Sequence, residues 1–411
     1  TALDKLGNES GPSGTVTAAP SGPVAWGQAG QFLNGPNSVW STPLPASAPV
    51  DPDTSVMMRG VDAAGTTVAG AQGGLMASAA SVGTQFSYLS YSSPLYVVGP
   101  GQPRVPMRIT PVLSHHGPLI QALSGGVPIP PSAQSGAGSD GHMTVYQPSS
   151  DTLWEFWRAC SPFGPNNFGG QSPQRCPATP DRTWTAQYGG VMTNVSSTGG
   201  YFDDQSFPGL SGWYWGATAT SLPISAGMVT MEELKSGHID HALALNIPGY
   251  GNPGAVCAYT WWRSPNGMGP RPIAWPAQRS DGTYLGPDCI PEGSRLRIDP
   301  NFDLNSISMP KVARMYAVAA QKYGMIVRDR AAAGLQFFAE DPISLKQQGE
   351  PLNPYTDLPW GNNGSAPKAS GLLQGNPTWS MFKTFPWSKV QVLSGAICHQ
   401  HPPGPCPQQG N

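Results

Sequence analysis

The chain predicts an all-β fold, a β-sandwich of jelly-roll type with long loops and one or two helices packed on the sheet. Three observations lead there. Gly 51 and Pro 46 make almost a quarter of the 411 residues, and charged residues are only 11%, a composition that favours short strands and many turns. Residues 140–157 alternate β-formers on both sides of a Pro-Ser-Ser-Asp turn, the pattern of a hairpin. A single stretch, 308–323, carries a clear helical stripe.

In chain order, residues 1–24 are mostly Gly, Ser, Pro, Ala and Thr and read as a flexible arm behind a mature N-terminus left by signal removal. Residues 25–397 read as one large β domain with loop excursions, and 398–411 as a disulfide-closed tail. Segment 32–44 is an extended entry pinned by Trp40, a core residue. Residues 60–83 are Gly- and Ala-rich loop or lightly packed strand. Segment 86–98 alternates as a strand, with Pro94 marking an edge or break, and 105–113 continues it. His115 and His116 sit in a loop, where adjacent side chains diverge.

In the hairpin, pairing of Gln147 with Thr152 puts His142, Thr144, Tyr146, Leu153, Glu155 and Trp157 on one face. Met143, Val145, Trp154 and Phe156 take the other, apolar face. The first face combines a carboxylate, an imidazole, a phenol and an indole, an inventory suited to holding a sugar ring and acting on it. Residues 164–180 form a Cys-bounded excursion too poor in apolar groups for a core. Trp184, Tyr188, Tyr201 and the Trp213-Tyr-Trp215 run bring further aromatics, part core and part stacking surface.

Thr230-Met-Glu-Glu233 has the form of a capping box, and Gly237 suits a left-handed C-cap, so a short helix is expected. The strand that follows places His241, Leu243, Leu245 and Ile247 on one face, with Asp240, Ala242, Ala244 and Asn246 on the other. That small-residue face leaves room for a substrate or a packed helix. Residues 295–299 read as a strand. In 308–323, Val312, Met315, Tyr316, Ala319 and Tyr323 trace the apolar stripe, Pro310 sits in the first turn and Gly324 ends the helix. Residues 325–329 and 335–339 read as a pair of strands, 340–380 as loop, and 389–393 as a last strand.

A formal charge of −2 without Lys or Arg runs gives no electrostatic footprint for nucleic acid. No stretch approaches 18 consecutive apolar residues, so no membrane insertion is expected. The six cysteines fall as neighbours, Cys160 with Cys176, Cys257 with Cys289 and Cys398 with Cys406, and read as disulfides of an oxidising compartment. His238, Asp240 and His241 converge on one ion only if the chain turns there, because on a strand the two imidazoles oppose each other. No metal and no cofactor are assigned.

The strings Gly237-His-Ile-Asp240-His241-Ala-Leu-Ala-Leu245, Asp140-Gly-His142, Thr152-Leu-Trp-Glu155-Phe-Trp157, Trp275-Pro-Ala-Gln-Arg279 and Tyr323-Gly-Met-Ile-Val-Arg-Asp329 resemble secreted actinobacterial proteins of unassigned function, over roughly residues 85–340. The resemblance implies a secreted, extracellular bacterial protein and carries no activity.

The expected function is a secreted polysaccharide-active enzyme that hydrolyses glycosidic bonds with carboxylates. Glu155, Asp240 and Asp140 are the candidate catalytic residues. His142, Tyr146, Trp157, His241, Trp213 and Trp215 are the candidate substrate-binding residues, and the partner is a polysaccharide or oligosaccharide. Three alternatives stay open: a lectin-like binder without chemistry, an extracellular structural protein, and a lyase using Tyr146 and a His as base and acid.

Overall fold

The computed structural model describes residues 33, 35, 38–59, 74–76, 83–112, 116–162, 183–202, 216–249, 255–258, 273–394 apart from 287, 333 and 363–364, and 397–398. The arm 1–24, the excursion 164–180, His115, Trp213, Trp215, Cys176, Cys406 and the tail beyond Cys398 lie outside the described residues.

Ten strands build two main sheets: β1 (Thr84–Ser87), β2 (Leu95–Val97), β3 (Met143–Gln147), β4 (Thr152–Trp157), β5 (Tyr188–Thr193), β6 (Leu243–Pro248), β7 (Arg295–Ile298), β8 (Met325–Ala331), β9 (Leu335–Phe338) and β10 (Val390–Val392). One sheet has six strands in the order β1-β9-β6-β8-β7-β10, the other four in the order β2-β3-β4-β5. The four-stranded sheet is thus inserted, in sequence, between the first and second strands of the six-stranded one. Both sheets are mixed: β1 with β9, β6 with β8 and β2 with β3 run parallel. The fold is β-rich, as expected, but these parallel pairs differ from the antiparallel order of a jelly roll. They require crossover connections, which the alternation of individual strands does not encode.

Two apolar cores flank the six-stranded sheet. Along β6, Leu243, Leu245 and Ile247 enter one core with Val312, Met315, Tyr316 and Ala319 of the helix Lys311–Lys322. Ala242 and Ala244 enter the other, with Met143, Val145, Trp154 and Phe156 of the four-stranded sheet. Strand alternation and the helical stripe therefore meet on the same face of β6, and the small alanine face turns toward the second sheet. Strands β8 and β9 do not pair with each other but flank β6 on its two sides, so the expected strand pair is split by an earlier strand.

The hairpin register is Gln147 to Thr152, Thr144 to Glu155 and Met143 to Phe156. The middle of its polar face is neither an open cleft nor a solvated surface, because Thr144 and Glu155 are fully buried. The cover is the loop around Gly216 and Ala217, and its approach depends on glycine. Glu155 stands opposite Gly190, and a Cβ at Gly190 would lie 2.7 Å from Gly216 N. At Gly216, with φ +103°, a Cβ would crowd Phe202 and the Glu155 carboxylate. Only glycine meets both the left-handed conformation and the close contact.

Candidate functional site

A cavity of about 960 Å³ opens where the ends of the two sheets meet. Gln85, Asn246, Asp329, Arg330 and Gln336 line it from the six-stranded sheet, and His142, Trp157 and Tyr188 stand at or beside the ends of β3, β4 and β5. The loops add Tyr91, His116, Asp140, Gln187, Arg279, Asp281 and the wall Gly216–Ala217–Thr218–Ala219 with Ile224.

Local structure explains how β8 serves both the packing and the cavity. A bulge between Val327 and Asp329 leaves Arg328 without a partner on β6 and puts Asp329 in register with Asn246. Bulges re-aim side chains in this way. Arg328 is buried against the Phe338 ring, 4.3 Å from its centroid, and donates to Ile224 O. Asp329 reaches the cavity, where Oδ2 accepts from Ala219 N at 3.3 Å and Oδ1 from Arg330 N at 2.8 Å.

Of the residues singled out in the sequence, Asp140, His142 and Trp157 come together on the cavity wall. Trp157 Nε1 donates to Asp140 Oδ1 at 3.2 Å, and the Arg158 guanidinium covers the indole at 4.0 Å. His142 is buried, and burial pulls its pKa down to about 4, against the nearby Asp140 charge. It is therefore neutral near pH 7, with the Ala217 and Tyr91 backbone beside it.

Glu155 lies behind the wall rather than on it. Oε1 accepts from Ala217 N at 2.7 Å and Oε2 from Ile224 N at 2.8 Å, so the carboxylate pins both ends of the 217–224 loop. Burial pushes its pKa up to about 7, and these two bonds together with the Arg328 charge work against that rise. Tyr146 sits at the hairpin turn, where its hydroxyl donates to Asp151 Oδ1 at 3.0 Å. Asp240 is exposed and pairs with His238 at 3.2 Å. His241 is buried and pairs with Glu233 at 3.0 Å; burial lowers its pKa, but the Glu233 carboxylate outweighs it and the net shift is upward. That Glu233 belongs to the capping box expected from Thr230 and is its N3 residue. His238, Asp240 and His241 thus do not converge on one point.

Sequence reasoning missed a second acidic group. Asp281, Glu292 and Asp329 present carboxylate oxygens that all lie within 4.8 Å of one another. Burial and mutual repulsion raise the pKa of Asp329 to about 7 and hold Glu292 well above the usual carboxylate range; burial also raises Asp281, against the Arg330 charge. Arg330 Nε donates to Asp281 Oδ2 at 2.6 Å. The three acids stem from separate segments, and the disulfide Cys257–Cys289 ties the segment bearing Glu292 to the chain beyond β6. Cys160 is also disulfide-bonded, and no described cysteine is free. Among the described residues, no helix is long and apolar enough to cross a membrane.

No protein family model, curated protein or solved structure matches this chain.

Proposed function

We propose that the cavity between the sheets binds a saccharide chain and that the protein is a carbohydrate-active hydrolase working outside the cell. One observation carries the reading: Tyr91, Trp157 and Tyr188 line one cavity together with Gln85, Gln187, Asn246, Arg279 and Gln336 and with the carboxylates of Asp140, Asp281 and Asp329. A sugar ring offers apolar C–H faces and a rim of hydroxyls, so it is held by rings and by amide or guanidinium groups together. Asp140 stands beside the four-stranded sheet, while Asp329 projects from the six-stranded one and Asp281 approaches it by its pair with Arg330. Glycosidic hydrolysis uses acidic groups on both sides of the bond, and Asp140 is the carboxylate we assign to the reacting centre. Glu155 is a positioning residue that holds the wall. The disulfides support an oxidising, extracellular setting.

A second reading, elimination, is favoured by one observation, the neutral His142 in the wall of a cavity that also holds Arg279 and Arg330. Elimination from an acidic polysaccharide needs a base and cationic groups for the substrate carboxylate. The test is incubation of the protein with neutral and acidic polysaccharides, scoring new reducing ends and unsaturated products. Reducing ends without unsaturation, lost in Asp140→Asn, support hydrolysis. Unsaturated ends lost in His142→Ala support elimination. Binding without products leaves a lectin-like protein, and neither binding nor products refutes the proposal.

A further inference from the structure

We propose that Asp281, Glu292 and Asp329 form a binding site for a divalent, oxygen-preferring cation of the Ca2+ type at the edge of the cavity. Their oxygens lie within 4.8 Å of one another. Three oxygens at most 4.8 Å apart all lie within about 2.8 Å of a common point, close to the roughly 2.3–2.6 Å of a Ca2+–oxygen contact, so a small side-chain movement lets one ion reach all three.

The hydrogen bonding is lopsided in a way that points to a ligand. Asp281 and Glu292 each have one oxygen anchored and one unused. Asp281 Oδ2 is held by Arg330, and Glu292 Oε2 accepts from Asp281 N at 3.2 Å. Among the described residues no donor faces Asp281 Oδ1 or Glu292 Oε1, the two side chains lie close enough to share a proton whose place a cation can take, and Glu292 is fully buried. A buried acceptor left without a donor is costly, and here two such atoms belong to one cluster. A third such atom belongs to the neighbouring strand: Asn246 Oδ1, buried and without a hydrogen-bond partner among the described residues, on a residue in register with Asp329 across β6 and β8 and lining the same cavity. It supplies a neutral oxygen of the kind that completes a Ca2+ shell.

Charge agrees with the geometry. A bound divalent ion would hold all three carboxylates ionised, and together with the paired Arg330 guanidinium they then sum to −2, which the ion neutralises. The donor set contains no thiol and no imidazole, so it suits a hard cation and not a zinc-type ion. Because Ca2+ takes six to eight oxygens, the open side toward the cavity leaves positions for water or for vicinal hydroxyls of a ligand. The site does not depend on the saccharide reading.

The test is calorimetric titration of the chelator-treated, full-length protein with CaCl2, MgCl2 and ZnCl2 in parallel, with thermal melts in the same buffers. One Ca2+ per chain, a melting temperature that rises with Ca2+ concentration, and loss of the binding heat in Glu292→Gln are expected. Asn246→Ala, which leaves all three carboxylates in place, covers the case in which Glu292→Gln does not fold, and it is expected to weaken Ca2+ binding. The proposal is overturned if none of the ions binds at millimolar concentration, if Zn2+ alone binds, or if Ca2+ binds unchanged to both variants. Ca2+ binding without saccharide turnover would remove the proposed hydrolase activity and leave this site intact.

Discussion

Replacing Glu155 with Gln separates a wall-pinning role from a catalytic one. Both carboxylate oxygens accept from buried backbone N–H groups, at 2.7 and 2.8 Å. A carboxamide has one acceptor oxygen and presents an NH2 to the other N–H, so one buried donor loses its partner at a cost of about 1–3 kcal/mol. The buried Arg328 also loses a nearby anion, while removing a carboxylate whose pKa burial has pushed to about 7 relieves part of the desolvation cost. The net expectation is a loss of about 2 kcal/mol, which in a chain of this size lowers the melting temperature by about 2 °C. Glu155→Ala orphans both N–H groups and leaves a void, so its loss should be about twice as large. Scanning calorimetry at pH 7 reads both values, and saccharide affinity should fall in step as the 217–224 wall loosens. A Glu155→Gln protein that melts with the wild type, binds saccharide normally and has no turnover would refute this account and make Glu155 catalytic.

Three further outcomes are expected. Burial raises the pKa of Glu155 and Asp341 to about 7 and of Glu340 to about 8; because the folded state holds these protons more tightly than the unfolded chain, their contribution is complete below about pH 4 and is lost as pH rises to about 8. His142, lowered to about 4, acts oppositely and removes stability as pH falls from about 6.5 toward 4, so melting temperatures across pH should peak on the acid side of neutrality and decline toward pH 8; a maximum at pH 8 or above would contradict this. Cys257 and Cys289 are 32 residues apart, so replacing both with Ser should cost about 3–4 kcal/mol by loop entropy and weaken Ca2+ binding by freeing the segment that carries Glu292; unchanged melting and binding would count against both. Trp157→Ala should weaken saccharide binding by about 1 kcal/mol or more and disturb Asp140, and an unaltered binding constant would exclude the indole from the site.

How much of this was legible in the sequence depended on how local each feature is. The Gln147–Thr152 register follows from strict alternation and a turn set by Pro148 and Asp151, so it could be read directly. The Lys311–Lys322 helix was equally legible, because one apolar stripe fits one buried face. Burial of the hairpin's polar face was not, since its cover at Ala217 and Ile224 lies more than 60 residues on from Glu155. A carboxylate between Trp154 and Phe156 has two meanings, catalytic or hydrogen-bonded in the core, and only the distant donors decide between them. The parallel pairing of β6 with β8 and the Asp281–Glu292–Asp329 cluster arise from crossovers and a bulge, which leave no periodic trace. The one signal pointing to that region was the small face of Ala242, Ala244 and Asn246, read as room for a ligand.

The central claim, that the space between the sheets is a saccharide site, is tested most directly by a crystal structure of the Asp140→Asn protein with an oligosaccharide chosen by the polysaccharide panel. The account predicts sugar density in the cavity, with a ring against Trp157 or Tyr188, hydroxyls bonded to Gln336, Arg279 or Asn246, and a glycosidic oxygen near residue 140. Ordered saccharide elsewhere on the protein, with this cavity filled only by water, would contradict it.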